Sequence, residues 1–120
     1  MHTLMKNSQL AEEITHLHAE ICSALGDPNR IMMLYVLAEQ PHNVSDLAAK
    51  VGVSQPAASR HLKLLRQRGL VNATRKGTSV EYDLRDERLI QALDLLRNVL
   101  YERLSHRANL MREEVSAHSE

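Results

Sequence analysis

The sequence predicts a mainly α-helical chain carrying one small β-hairpin, and three observations predict it. Apolar residues recur at helical spacing through several separate stretches of the 120 residues. Two of those stretches, joined by a single glycine-containing turn, stand back to back between Asn43 and Gly69. Directly after them the helical period gives way to β-branched and aromatic residues, Val71, Thr74, Val80 and Tyr82, around a glycine.

Residues 1–9 show little periodicity and are read as a flexible tail. From Leu10, the series Leu10, Ile14, Leu17, Ile21 and Leu25 advances in steps of three and four, the signature of an amphipathic helix. Gly26 and Asp27 break it. Asp27-Pro28 then reads as an N-cap followed by an N1 proline, opening a second helix that turns Ile31, Leu34, Tyr35 and Leu37 inward and stops at Pro41. Arg30 falls in the first turn of that helix, where a cation gains nothing from the macrodipole, so an ion pair with a nearby carboxylate is preferred to a phosphate contact as its reason.

Asn43 or Ser45 can cap the third helix, which carries Leu47, Ala48 and Val51, and Gly52 provides the turn. Ser54 caps the fourth helix with Pro56 in its first turn. Ala58, Leu62 and Leu65 line one face, while Gln55, Ser59, Arg60, His61, Lys63 and Arg66 line the other, and Gly69 closes the helix. Two strands, Leu70–Thr74 and Ser79–Leu84, follow with Arg75-Lys76-Gly77-Thr78 as a basic tip. A last helix, capped by Asp86, runs to about residue 114 with Leu89, Leu93, Leu96, Leu100, Leu104 and Met111 on one stripe. Residues 115–120 are read as a second tail. The expected organisation is therefore one domain over 10–114, comprising a helix-turn-helix at 43–69, a hairpin at 70–84 and a terminal helix at 86–114.

A helix-turn-helix followed by a basic hairpin is a winged helix-turn-helix, whose second helix can enter a DNA major groove. Charge supplies an independent check. Between Leu47 and Val80 stand Lys50, Arg60, Lys63, Arg66, Arg68, Arg75 and Lys76 with no Asp or Glu, in a chain whose formal net charge is zero. A solvated surface normally mixes signs, so a one-sign segment inside a neutral chain points to a polyanion. An idle basic surface is the competing reading.

Other classes are excluded or reduced. No apolar run is long enough to span a bilayer, no signal-peptide core is visible, and one cysteine cannot form an internal disulfide, which together imply a cytoplasmic protein. Four glycines and one cysteine leave no phosphate-cradling loop, and no nucleophile with a base and orienter is visible, so no enzyme is expected. A helical protein-interaction module remains open, and the acid-free segment argues against it.

The segments SALGDPNRIMMLYVL, VSDLAAKVGVSQPAASRHLKLLRQRGLV and TRKGTSVEYDL resemble the bacterial ArsR/SmtB-type repressors, over most of the chain between Ile14 and Leu104. The resemblance implies a homodimeric transcriptional repressor that leaves its operator when an inducer binds. The long apolar stripes of the first and last helices fit pairing across a two-fold axis, which would set two recognition helices about one DNA turn apart on a pseudo-palindromic site. DNA contacts are expected from Ser54, Gln55, Ala57, Ala58, Ser59, Arg60, His61, Lys63 and Arg66 on the fourth helix. Arg75, Lys76, Gly77 and Thr78 on the hairpin are expected to grip backbone or minor groove. For His61, packing on the helix surface weighs equally with a phosphate contact.

The inducer is harder to read. Members of the family sense metals, metalloids or oxidants, each through its own ligand pattern. The place of the arsenic-type thiolates reads His42-Asn43-Val44-Ser45-Asp46. In the zinc-type pattern of the last helix Asp86 matches, but Arg88 stands where a histidine belongs and Val99 falls near the second. Tyr35 and Glu102 occupy the positions of the oxidant-type cysteines. What is left is His16 and His18 in the first helix with Glu102 and His106 in the last, which could form a zinc or nickel site across a dimer. His2 and His118, near the two ends, could add ligands. Cys22 beside Ile21 is read as a buried structural thiol, with redox sensing as the alternative.

Overall fold

The computed structural model describes residues 7–118, with side chains described as far as Ser116. The expected N-terminal tail falls outside the described residues except for Asn7–Gln9, which already belong to a helix; of the expected C-terminal tail, 115–118 continue a helix and 119–120 lie outside. The chain divides into two compact units, one ending at Glu87 and one beginning at Arg88.

In the first unit, α1 spans Asn7–Leu17 and continues as a π turn, His18–Cys22, and a 3-10 turn, Ala24–Gly26. Then come α2 (Pro28–Glu39), a two-residue strand β1 (His42–Asn43), α3 (Val44–Val51), α4 (Gln55–Gln67), and the hairpin β2 (Val71–Lys76) and β3 (Ser79–Leu84). The sheet is antiparallel in the order β1-β3-β2, with His42 opposite Tyr82 and Val71 opposite Leu84. β1 was not expected, since two residues carry no period. Its Asn43 both pairs with Glu81 and caps α3 by accepting from the Asp46 N–H.

The other caps form where the sequence places them. Asp27 accepts from the Asn29 N–H at 2.8 Å with Pro28 at N1, and Ser54 accepts from the Ala57 N–H at 3.2 Å. α4 ends in a Schellman motif. Gly69, at φ +74°, donates to Arg66 O, and the Leu70 N–H reaches back to Leu65 O at 2.9 Å. Both of those leucines are buried, so the cap joins backbone satisfaction to core packing. The hairpin turn is shorter than the four-residue tip expected. Arg75 and Lys76 are paired in β2, only Gly77 and Thr78 form the loop, and Gly77 alone takes positive φ, the pattern of a type II′ turn.

The core of this unit is assembled from Met33, Leu34 and Leu37 of α2, Leu47 and Ala48 of α3, Ala58, Leu62 and Leu65 of α4, and Leu70 and Val71. Each fully buried Leu, Met or Val contributes about 1.5–3 kcal/mol relative to exposure. α2 meets α3, α4 and β3, which is why Met33 is buried while Ile31 and Tyr35, expected inside, are only half-buried. In α1, Leu10, Ile14 and Leu17 are each about half exposed, and no residue of the helix is buried.

The second unit is the single helix α5, Arg88–His118. Its 31 residues make it about 46 Å long at 1.5 Å per residue. It starts within a residue or two of where an Asp86 cap would put it and runs past the expected end at 114. Leu96, Leu100, Leu104, Met111 and Val115 recur along it, all exposed. No helix among the described residues is long and apolar enough to cross a membrane.

Candidate nucleic-acid interface

The side chains of α4 sort themselves by the helix period. Ala58, Leu62 and Leu65 face the core at zero exposure, and this fixes which residues face outward. Gln55, Ser59, Arg60, Lys63 and Arg66 are exposed, as is the cap Ser54, and Arg60, Lys63 and Arg66 make no ion pair among the described residues. Ala57 is half-buried. The DNA contact expected from Ala58 is corrected, because that methyl group is sealed in the core.

His61 is also turned inward. Its Nδ1 lies 3.2 Å from Arg30 Nη1, and since a guanidinium can only donate, Nδ1 is the accepting side of this contact. Arg30 in turn donates from Nε to Ala24 O at 2.7 Å and lies 3.9 Å from the Asp27 carboxylate. The structural pair anticipated for Arg30 is present, and the backbone carbonyl and His61 are partners that spacing could not show.

On the hairpin, Arg75, Lys76, Gly77 and Thr78 are exposed. Strand alternation separates the two cations. Arg75 lies opposite Val80 on one face, whereas Lys76 shares the other with Ser79 and Glu81. Lys76 Nζ is 3.0 Å from Glu81 Oε1, so its charge is already partnered. Glu81 is the first acid after the basic segment, and its cross-strand reach becomes visible only once the register is known.

Arg68, one of the seven cations of that segment, also points inward. Its Nη1 donates to Ala19 O, to Glu20 O at 3.2 Å and to Ser23 Oγ at 2.7 Å, and Nε lies 4.0 Å from Glu20 Oε2. The outward field therefore comes from Lys50, Arg60, Lys63, Arg66 and Arg75, all exposed.

The bacterial regulatory protein model of the arsR family matches residues 27–73, from the cap of α2 into β2. The HTH-type transcriptional regulator NmtR of Mycobacterium tuberculosis is 40% identical over 88 residues, covering 73% of this chain and 70% of that protein. The chain belongs to the ArsR family. Among its other relatives, the transcriptional repressor SmtB homolog of Synechocystis is 43% identical over 72 residues, 60% of this chain and 54% of the relative. The crystal structure of NolR from Sinorhizobium fredii superposes with a TM-score of 0.69 at 30% identity, covering 80% of this chain and 96% of that one. A solution structure from Mycobacterium bovis, described as a homodimeric winged helix-turn-helix DNA-binding domain, gives 0.71 at 28% identity over 85% and 94% of the two chains. ArsR-family membership and these neighbours establish the winged helix-turn-helix of a family of DNA-binding regulators.

The expected sensing residues stand on separate elements. His16, His18, Glu102 and His106 are exposed, the first two on α1 and the turn after it and the last two on α5. His2 and the side chain of His118 lie outside the described residues. Among the described residues no three or more His, Cys, Asp or Glu side chains are gathered as metal ligands. The reading of Cys22 as a buried thiol is overturned: it is exposed, on a stretch whose apolar stripe, Leu10, Ile14 and Leu17, is itself about half exposed.

Proposed function

We propose that this ArsR-family chain is a homodimeric, sequence-specific repressor that binds a pseudo-palindromic operator in the cytoplasm and leaves it when an inducer binds. The observation that carries the reading is the outward face of α4: Gln55, Ser59, Arg60, Lys63 and Arg66, exposed together, with no acid from Leu47 to Val80 to oppose them. Gln55 offers the bidentate pairing to adenine, Arg60 or Lys63 reaches guanine or phosphate, and Ser54 and Ser59 suit phosphate or base edges. Arg75 and Thr78 hold the backbone from the wing. The role of each residue is binding, and no catalytic step is assigned to any of them.

The uncovered leucines of α1 and α5 support pairing with a second copy. The M. bovis neighbour is described as homodimeric, and the Synechocystis relative is named a repressor. A zinc or nickel inducer would draw on His16 and His18 of one copy and Glu102 and His106 of the other, brought together where the two copies pair. The exposure of Cys22 favours a second reading of the signal, in which the same repressor responds to an oxidant at that thiol.

Fluorescence anisotropy on the duplex upstream of its own coding sequence tests both layers. Tight binding that weakens steeply with salt supports the repressor. Release by zinc or nickel, reversed by chelator, selects the metal, and release by peroxide that Cys22→Ser abolishes selects the thiol. Binding that is weak and equal on every duplex would overturn the operator reading.

A further inference from the structure

We infer that Arg68 and Arg30 are positioning residues that lock the recognition helix α4 to the turn closing α1, an inference that rests on the DNA-binding reading above. Both arginines converge on the same short stretch. Arg68, at the C-terminal end of α4, donates to Ala19 O, Glu20 O and Ser23 Oγ. Arg30 donates to Ala24 O at 2.7 Å and Ser23 O at 3.4 Å, and its remaining nitrogen meets His61, midway along α4. The recognition helix is thus held at its middle and at its end, in each case through an arginine, to residues 19–24.

The π turn makes this possible. The Ser23 N–H bonds to His18 O at 2.9 Å rather than to Ala19 O, so the Ala19 carbonyl is left to accept from the Ser23 hydroxyl and from Arg68. Ser23 is the hub. Its Oγ donates to Ala19 O at 2.6 Å and accepts from Arg68 at 2.7 Å, while its carbonyl accepts from Arg30. All three acceptors of Arg68 meet one nitrogen, Nη1, whose direction is fixed by the planar guanidinium and by Nε beside the Glu20 carboxylate; a lysine ammonium on a flexible stem does not hold that direction. Since α1 is one of the two helices with an uncovered apolar face, the clamp would carry the placement of α1 against a second copy directly into the placement of α4 on DNA. Arg68 therefore acts on the operator through Ala19, Glu20 and Ser23 without touching it.

The charge-conserving substitution separates the two roles open to Arg68. For Arg68→Lys in the full chain, operator affinity should fall about tenfold while the slope of log affinity against log salt stays at the wild-type value, because no phosphate contact is lost. Amides 18–26 should lose hydrogen-exchange protection. Ser23→Ala, which removes the hub hydroxyl without touching an arginine, should move both readouts the same way and covers the case in which Arg68→Lys fails to fold. Wild-type affinity and protection in both variants would overturn the inference. So would a salt slope reduced by about one in Arg68→Ala and restored by Arg68→Lys, which is the mark of a phosphate contact. If the wild-type chain itself binds no operator, the DNA reading has failed. The exchange pattern of Arg68→Lys then decides the clamp alone, unchanged protection overturning it.

Discussion

Lys76 Nζ lies 3.0 Å from Glu81 Oε1, so the wing cation nearest the turn is held by the first acid to follow the basic segment. The pair joins diagonal positions on one face of the hairpin, and the lysine side chain remains 63% exposed. Exposed pairs contribute only about 0.2–1 kcal/mol, so breaking this one costs little stability. Glu81→Gln should free Lys76 and tighten DNA binding roughly two- to fivefold, steepening the salt dependence by up to about one unit. Anisotropy titrations at several salt concentrations check this; an affinity left unchanged would show that Lys76 does not reach the DNA.

Arg60 and Lys63 should separate under the same titration. A residue reading a base costs about 1–3 kcal/mol when removed and relaxes preference at one position, whereas a phosphate contact weakens all duplexes alike. Arg60→Ala and Lys63→Ala, each measured on cognate and scrambled duplexes, assign the two roles. The double substitution should abolish operator binding while leaving the thermal unfolding midpoint nearly unmoved, since both side chains are exposed.

The inner face of α4 should behave oppositely. Leu62 is fully buried, and Leu62→Ala is expected to cost about 2–5 kcal/mol through lost burial and the cavity left behind. Ala58→Leu, which overfills the same core, should cost about 1–3 kcal/mol. Chemical denaturation reads both.

Gly69 offers a backbone test. A methyl group added there would meet only Arg85 Nη1, at 3.9 Å, so space is not the obstacle; its φ of +74° is. Gly69→Ala should lower stability by about 1 kcal/mol through strain at the Schellman cap. A neutral or stabilising result in the same denaturation assay would contradict the role given to that cap.

The exposed stripe of α5 supplies the last expectation. Leu96→Glu combined with Leu100→Glu should yield a monomer by sedimentation, with operator affinity falling by two orders of magnitude or so as the second half-site is lost. A double variant that still sediments as a dimer would remove these two residues from the interface.

Most of the framework is legible in the sequence, for identifiable reasons. Asp27-Pro28, Ser54 with Pro56, and Gly69 announce helix ends through chemistry that acts over three or four residues, and each sits where it was expected. The division of α4 into an inner and an outer face follows from a period of 3.6, which also places Ala58 inside; assigning it to DNA as well set a small side chain against its own helical phase. What spacing could not supply were contacts between distant segments. β1 owes its existence to β3, Lys76 finds Glu81 through the register, and Arg68 reaches a turn nearly fifty residues earlier in the chain. The π turn is invisible for a related reason: one extra residue in a helical ring leaves the three-and-four rhythm on either side of it undisturbed.

The division of labour along α4 has a consequence for how such a regulator can diverge. Ala58, Leu62 and Leu65 carry the folding of the helix, and its outward residues carry almost none of it. Substitutions at Gln55, Ser59, Arg60 and Lys63 are therefore close to neutral for stability, typically within about 0.5 kcal/mol. A duplicated copy could drift toward a different operator one outward residue at a time, without passing through an unfolded intermediate sequence and without rebuilding the scaffold that presents the helix.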